Sequence, residues 1–192
     1  MLLDNLDSFT FNLSHYLEGV DVEVITKRSN QFSSSDTSGV DAIVLSPGPS
    51  LPEDHPGMLK CIKQEIGKKP ILGVCLGMQA LWVYEGGGLL NQRIVKHGVQ
   101  EQMKLVNRGV LLKGVEDGFQ VGLYHSWVVN KNDRLDFEVL ARNLNEDIMA
   151  IENVSRKTFG VQFHPESIMS VDGRLIVKNF VEFVKSELNE KA

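Results

Sequence analysis

The chain has 192 residues, 42% of them hydrophobic, and a formal net charge of −5. That length suits one domain over 1–192 with a substantial core, and the acidic balance, without any Lys/Arg cluster, argues against nucleic acid as a partner. No apolar run is long enough to span a membrane. The two cysteines sit in unrelated surroundings, and Asp4 and Asp7 interrupt the apolar start, so neither a disulfide framework nor a signal peptide is visible and a reducing, cytoplasmic setting is expected.

In chain order, Met1 to Leu3 reads as a clipped strand. The segment "DSFTFNLSHYLEG" reads as a helix with Asp7 or Ser8 as N-cap and Phe9, Leu13, Tyr16 and Leu17 on one face. The alternation in "VDVEVI" (20–25) predicts a strand, and the polar "SNQFSSSDTSG" after it reads as loop. A buried strand in "DAIVLSPGPS" runs into a Pro/Gly turn, and a helix follows over His55 to Ile66. Ile71, Leu72 and Val74 form the next strand, with Met78, Leu81 and Trp82 at helical spacing beyond it. This β-α alternation predicts a parallel sheet covered by helices on both faces. After Gly88 the pattern changes to "RIVKHG", "QMKLVN", "FQVGLYHS" and "FEVLARN", short strands of antiparallel character. Two further strands, in "IMAIENV" and "TFGVQFHPES", precede a closing helix in "GRLIVKNFVEFVKSEL". The fold class is thus α/β: one open three-layer domain, its central sheet mostly parallel, with a small antiparallel annex.

The chemistry concentrates where strands end. In "ILGVCLGMQAL" the chain turns from strand to helix at Cys75, with Gly73 and Gly77 removing side chains that would collide at such a corner. A strained turn lifts the side chain clear of the sheet, and a helix N-terminus lowers a thiol's pKa from ~8.5 towards neutrality. A buried cysteine also packs well as a small hydrophobe. That is the reading for Cys61, which lies in a helical stretch with no such corner. Ligands of open α/β sheets bind outside the carboxyl ends of the strands. Two other strand ends carry suitable groups. Gly48 lies between two prolines, in a rigid turn able to present backbone N–H groups. In "GVQFHPES", the period of the pleat places His164 and Glu166 on one face, so that Glu166 can orient His164. A His-X-Glu pair also occurs at surfaces and in metal sites. The zinc deaminases that use it need a downstream Pro-Cys-X-X-Cys, which is absent here. His15, His55 and His97 read as surface or packing residues, and His125 in "YHSW" is ambiguous.

"GVCLGMQ" with "FHPE" resembles the class I, or triad, glutamine amidotransferases, whose fold is flavodoxin-like. "DNLDSFTFNL", "LSPGPS", "VKHG" and "YHSW" narrow the resemblance to the glutaminase subunit shared by anthranilate synthase and aminodeoxychorismate synthase. It runs from Met1 into the closing helix. The resemblance implies Cys75 as nucleophile, His164 as base and Glu166 as third triad member. It implies backbone N–H groups of Gly48 and Leu76 as the oxyanion hole. It also implies a glutamine pocket of Gly48, Pro49, Ser50 and Gln79, with a backbone pair at Ser126 and Trp127 gripping the amino-acid end. Three positions depart from the pattern: Met78 stands for the usual His, Ser50 for Gly, and Trp127 for Leu. No triad member is lost, but Ser50 and Trp127 border the glutamine pocket.

The implied partners are L-glutamine as substrate and a chorismate-using synthase large subunit, with Mg²⁺ on that subunit and neither metal nor organic cofactor in this one. Ammonia would pass to the partner for anthranilate synthesis or, alternatively, for aminodeoxychorismate synthesis. Two other classes fit parts of the pattern. A stand-alone γ-glutamyl hydrolase would need a wider cleft and no partner, and a flavodoxin-like binding module would hold a phosphate at "SPGPS" and give a yellow protein.

Overall fold

The computed structural model describes residues 1–131 and 135–190. In chain order they form β1 (Leu2–Asp4), α1 (Thr10–Glu18), β2 (Thr26–Arg28), β3 (Ile43–Leu45), α2 (Pro56–Glu65), β4 (Ile71–Val74), α3 (Leu76–Tyr84) and β5 (Leu89–Gln102). There follow β6 (Lys104–Leu105), β7 (Gln120–Val129), β8 (Glu138–Arg142), β9 (Ile148–Asn153), β10 (Thr158–Val161) and α4 (Gly173–Asn189). The main sheet runs β2-β1-β3-β4-β10-β9-β8-β6. Its first five strands are mutually parallel, and β9, β8 and β6 continue it antiparallel. A separate two-stranded ribbon pairs β5 with β7.

Strand alternation sorts the core into two faces, because successive side chains leave a strand on opposite sides. Leu2, Val44, Leu72 and Val74 join Leu13 and Leu17 of α1 and Ile176, Val177 and Phe180 of α4. Leu3, Ile43, Leu45 and Ile71 instead join Met58, Cys61 and Ile62 of α2 and Leu76, Ala80 and Leu81 of α3. Each such fully buried aliphatic side chain contributes about 1.5–3 kcal/mol relative to exposure. Helix α3 is buried all round from Leu76 to Trp82, because its far side, Met78 and Trp82, packs under Val129 and Ile151. Over that stretch it has no solvent face, and so no clear polar stripe; only its last residue, Tyr84, is exposed.

Several expectations need correction. Residues 20–25 alternate as predicted, with Val20, Val22 and Val24 against the core, but the paired strand is Thr26–Arg28. Strand β1 begins at Leu2, opposite Thr26, so the earlier residues have no neighbouring strand to pair with. The polar stretch after β2 is two single 3₁₀ turns, Ser29–Gln31 and Ser34–Thr37, the second closed by Ser33 N–H donating to Asp36 Oδ2 at 2.7 Å. The N-cap of α1 is Phe9 rather than Asp7 or Ser8. Asp7 acts one step earlier, its Oδ1 accepting the Phe9 N–H at 2.8 Å. "RIVKHG" is no separate strand but part of the 14-residue β5, interrupted by an irregularity between Asn91 and Lys96. Strand β10 stops at Val161, short of His164.

The parallel strands point their carboxyl ends the same way. Asn5, the Ser46–Ser50 loop, Cys75 and the segment after Val161 therefore meet at one edge of the sheet.

Candidate active site

Cys75 sits between β4 and α3 with φ 51° and ψ −103°. This is a conformation that L-residues with side chains adopt at a cost of about 1–3 kcal/mol. The surroundings hold it there. Its N–H donates to Val161 O of the parallel neighbour β10 at 2.8 Å, and its carbonyl accepts from Gln79 N at 3.1 Å. The glycines on either side are required by space. A Cβ on Gly73 would come within 2.4 Å of the Gly77 backbone, and one on Gly77 within 2.5 Å of Leu45 O. Only 6% of Cys75 is exposed, so the surrounding chain covers it almost completely.

Gly48 packs directly on the first residue of α3: a Cβ there would lie 2.6 Å from Leu76 Cδ2 and 2.7 Å from Asn5 Cβ. The early N–H groups of α3 have no intrahelical carbonyl to meet, so Leu76 brings a free backbone donor to this corner. Asn5 fixes the Gly48 loop, its N–H donating to Ser46 Oγ at 2.8 Å and its Nδ2 to Ser46 O at 2.9 Å. From the other side His55, which the sequence marks only as surface or packing, donates from Nε2 to Pro49 O at 2.8 Å. Ser50 has φ 65°, the left-handed region that glycine enters freely and a side chain at a cost. That accounts for glycine as the usual residue there in the family this chain resembles.

His164 is reached by a different route from the one its spacing suggests. It forms an isolated bridge to Gly122 of β7, its N–H donating to Gly122 O at 3.0 Å, and Pro165 and Glu166 turn back beneath it. The turn, not the pleat of a strand, brings the two side chains together: Nδ1 donates to Glu166 Oε1 at 2.8 Å. Both residues are 2% exposed. Burial opposes the charged imidazole, but the Cys75 sulfur and the Glu166 carboxylate outweigh it and raise His164 to about 10. Phe9 and Tyr124 pack their rings against the imidazole at 5.2 and 4.8 Å, which holds its orientation. His125 differs. It is buried, both ring nitrogens lack a hydrogen-bond partner among the described residues, and burial lowers it to about 4, so it is neutral.

The last expected group lies along β7. Gln79 Nε2 donates to Trp127 O at 2.9 Å, joining α3 to the Ser126–Trp127 segment. The same nitrogen donates to Gln162 Oε1 at 3.1 Å. The structure thus brings Gly48, Leu76, Cys75, Gln79, Ser126, Trp127, His164 and Glu166 together at one end of the sheet. Gln162 was not visible as part of it. Among the described residues no three His, Cys, Asp or Glu side chains come together as metal ligands. A cavity of about 360 Å³ opens elsewhere, between residues 21–25 and α4, and has a mainly apolar lining.

Residues 1–183 match the family described as glutamine amidotransferase class-I. The chain belongs to this family.

Among the relatives of this amidotransferase, anthranilate synthase component 2 of Lactococcus lactis is 37% identical over all of this chain and 99% of its own length. The aminodeoxychorismate synthase component 2 of Serratia marcescens is 37% identical over 94% of this chain and 98% of its own. The aminodeoxychorismate/anthranilate synthase component 2 of Bacillus subtilis is 34% identical over 98% of each. In fold it is similar to a Thermoplasma acidophilum chain assigned to GMP synthase, with a TM-score of 0.89 and 22% identity over 99% of this chain and 95% of that one. No helix among the described residues is long and apolar enough to cross a membrane.

The amidotransferase's two cysteines are expected to differ sharply in reactivity. Cys61 is fully buried in α2, and burial, with the nearby Glu65 carboxylate, pushes its thiol up to about 12. At neutral pH its thiolate fraction is then on the order of 10⁻⁵, and the thiolate is the nucleophile. A small alkylating agent, or a glutamine analogue with an electrophile at the amide position, should label Cys75 at least ~100-fold faster. Peptide mass spectrometry checks this, and label found chiefly on Cys61 would contradict it.

Proposed function

We propose that this chain is the glutaminase subunit of a chorismate-using synthase, releasing ammonia from glutamine through Cys75, His164 and Glu166. The supporting observation is the meeting of a strained cysteine at a helix N-terminus with an imidazole held at 2.8 Å by a buried carboxylate. Glu166 fixes the proton on Nδ1, which leaves Nε2 for the sulfur side. The Cys75 thiolate attacks the side-chain amide carbon of glutamine, and the carbonyl oxygen gains charge facing the N–H groups of Gly48 and Leu76. Each such donor is typically worth ~10²–10³ in rate. His164 passes its proton to the departing nitrogen as the carbon–nitrogen bond breaks, giving ammonia and a γ-glutamyl thioester. The imidazole next takes a proton from water as the oxygen attacks the thioester, and glutamate leaves. Gly48, Pro49, Ser50, Gln79 and the backbone of Ser126 and Trp127 line the glutamine pocket in this reading. The steps need no metal or organic cofactor in this chain.

The ammonia needs a consumer. In water it would be mostly protonated and non-nucleophilic, so transfer must be direct, and the relatives are named as components of synthases. Leu6, Phe11 and Ile168 are 53%, 79% and 94% exposed, on the loop after β1, in the first turn of α1 and just past Glu166. All three belong to segments at the crevice end. Exposed apolar groups gathered at one edge suit a protein partner. We take that partner to be the large subunit that makes anthranilate, with Mg²⁺ on it, and the aminodeoxychorismate enzyme as the alternative. A stand-alone hydrolase needs a wide cleft around its nucleophile, whereas Cys75 is only 6% exposed.

The test is glutamate release by the purified subunit, titrated separately with each large subunit. We expect one or both, with chorismate bound, to raise kcat at least ~10-fold, about 1.4 kcal/mol of barrier. The partner that stimulates identifies the pathway. Full activity alone with no stimulation by either would reject the subunit reading.

A further inference from the structure

Gln162 belongs to no helix or strand and has no role assigned to it within "GVQFHPES", yet it touches the sulfur. It is fully buried just past β10, its main-chain N–H donating to Met149 O at 2.9 Å. Its side chain bridges two groups, accepting from Gln79 Nε2 at 3.1 Å and placing Nε2 3.5 Å from Cys75 Sγ. The network itself fixes which end of the amide is which. Trp127 O can only accept, so the Gln79 atom 2.9 Å from it is nitrogen. That nitrogen also donates to Gln162, whose facing atom is therefore oxygen, and the Gln162 nitrogen is left for the sulfur.

Resting on the reading of Cys75 as the nucleophile, we propose that Gln162 is a positioning residue that holds the Cys75 thiolate and couples it to the glutamine-holding wall. An N–H bonded to an anionic sulfur is charge-assisted, and so favours the thiolate over the thiol. It also restrains rotation of Sγ about the Cα–Cβ bond. The other end of the amide meets Gln79, which is fastened to Trp127. Substrate seated against that wall therefore settles the donor on the sulfur. The charged groups facing Cys75 are His164 and, behind it, Glu166. Strand β4 and the first turn of α3 contribute none, and His125 on β7 is neutral.

The experiment uses the full chain with Gln162→Glu and Gln162→Met, and needs neither partner nor glutamine for its main readout. The rate of Cys75 alkylation by iodoacetamide is followed from pH 5 to pH 9. In Gln162→Met the profile should move to higher pH by about one unit, as expected when a charge-assisted donor is lost. In Gln162→Glu it should move further, because a carboxylate opposes the thiolate. Glutaminase kcat should fall about 10–100-fold in both, with KM within about threefold. If the buried carboxylate of Gln162→Glu prevents folding, Gln162→Met, similar in volume and uncharged, carries the test. An unmoved pH profile overturns the proposal, even if kcat falls, since packing alone would then explain the loss. Failure here leaves the nucleophile reading standing, because that reading is tested by removing Cys75 itself.

Discussion

Cys75→Ala is expected to lower glutamine-dependent product formation by the complex about 10⁴-fold or more, the order of loss when a triad's nucleophile is removed. Synthesis from added ammonium salt should stay near the wild-type rate, because the proposed function puts the acceptor site on the partner. The two rates together separate chemistry from assembly: a misfolded or undocked subunit would disturb the partner's ammonia reaction, whereas a missing sulfur would not. The substitution is mild for the fold. It removes one atom from a residue 6% exposed and leaves the β-to-α corner with its glycines in place. Cys61→Ala is the control, since Cys61 packs among Ile62, Met58 and Leu45 on the α2 face. It should cost stability and leave both activities close to wild type. Glutamine-dependent product persisting in Cys75→Ala would refute the triad.

What could be read from the sequence depended on how many physical meanings a residue has. Glycines two residues before and two after Cys75 have essentially one meaning, a tight strand-to-helix corner, and the distances at Gly73 and Gly77 show why. The parallel core was legible because buried strands and helical spacing alternate in order. Proximity of His164 and Glu166 was legible too, but for another reason than the pleat: β10 ends at Val161, and a turn supplies the contact. Non-local pairing hid the rest. The length of β5 depends on β7, some thirty residues on, and the irregularity between Asn91 and Lys96 erases any alternation. The short β2 is set by where β1 begins, which no local pattern reports. Gln162 was missed because a glutamine in "FGVQFHPE" is an ordinary polar residue by composition. The available signal was its place in an otherwise apolar run. A buried amide must find partners on both sides, and near a strand-end cysteine one of them can be the sulfur.

The second large effect is expected at Gly48. A Cβ there would lie 2.6 Å from Leu76 Cδ2, 2.7 Å from Asn5 Cβ and 2.8 Å from Asn5 O, so Gly48→Ala must move the loop or the start of α3. Yielding is hard on both sides. Asn5 is fully buried and bonded twice to Ser46, and Leu76 opens a helix that is packed all round. Overpacking of this kind costs about 1–3 kcal/mol of stability. The loss in catalysis should be larger relative to its cause. A donor displaced by a few tenths of an ångström no longer meets the oxygen where charge develops, and losing one donor costs ~10²–10³ in kcat. We expect Gly48→Ala to lose that much glutaminase turnover while Cys75 is still alkylated by iodoacetamide, since the sulfur and His164 are untouched. Gly19→Ala is the matching control. It lies at the far end of α1 with φ −67° and its nearest neighbours at 3.4 Å, so kcat should not change. Wild-type kcat in a folded Gly48→Ala would mean that this loop does not wall the oxyanion, and the donors would have to be sought elsewhere along α3.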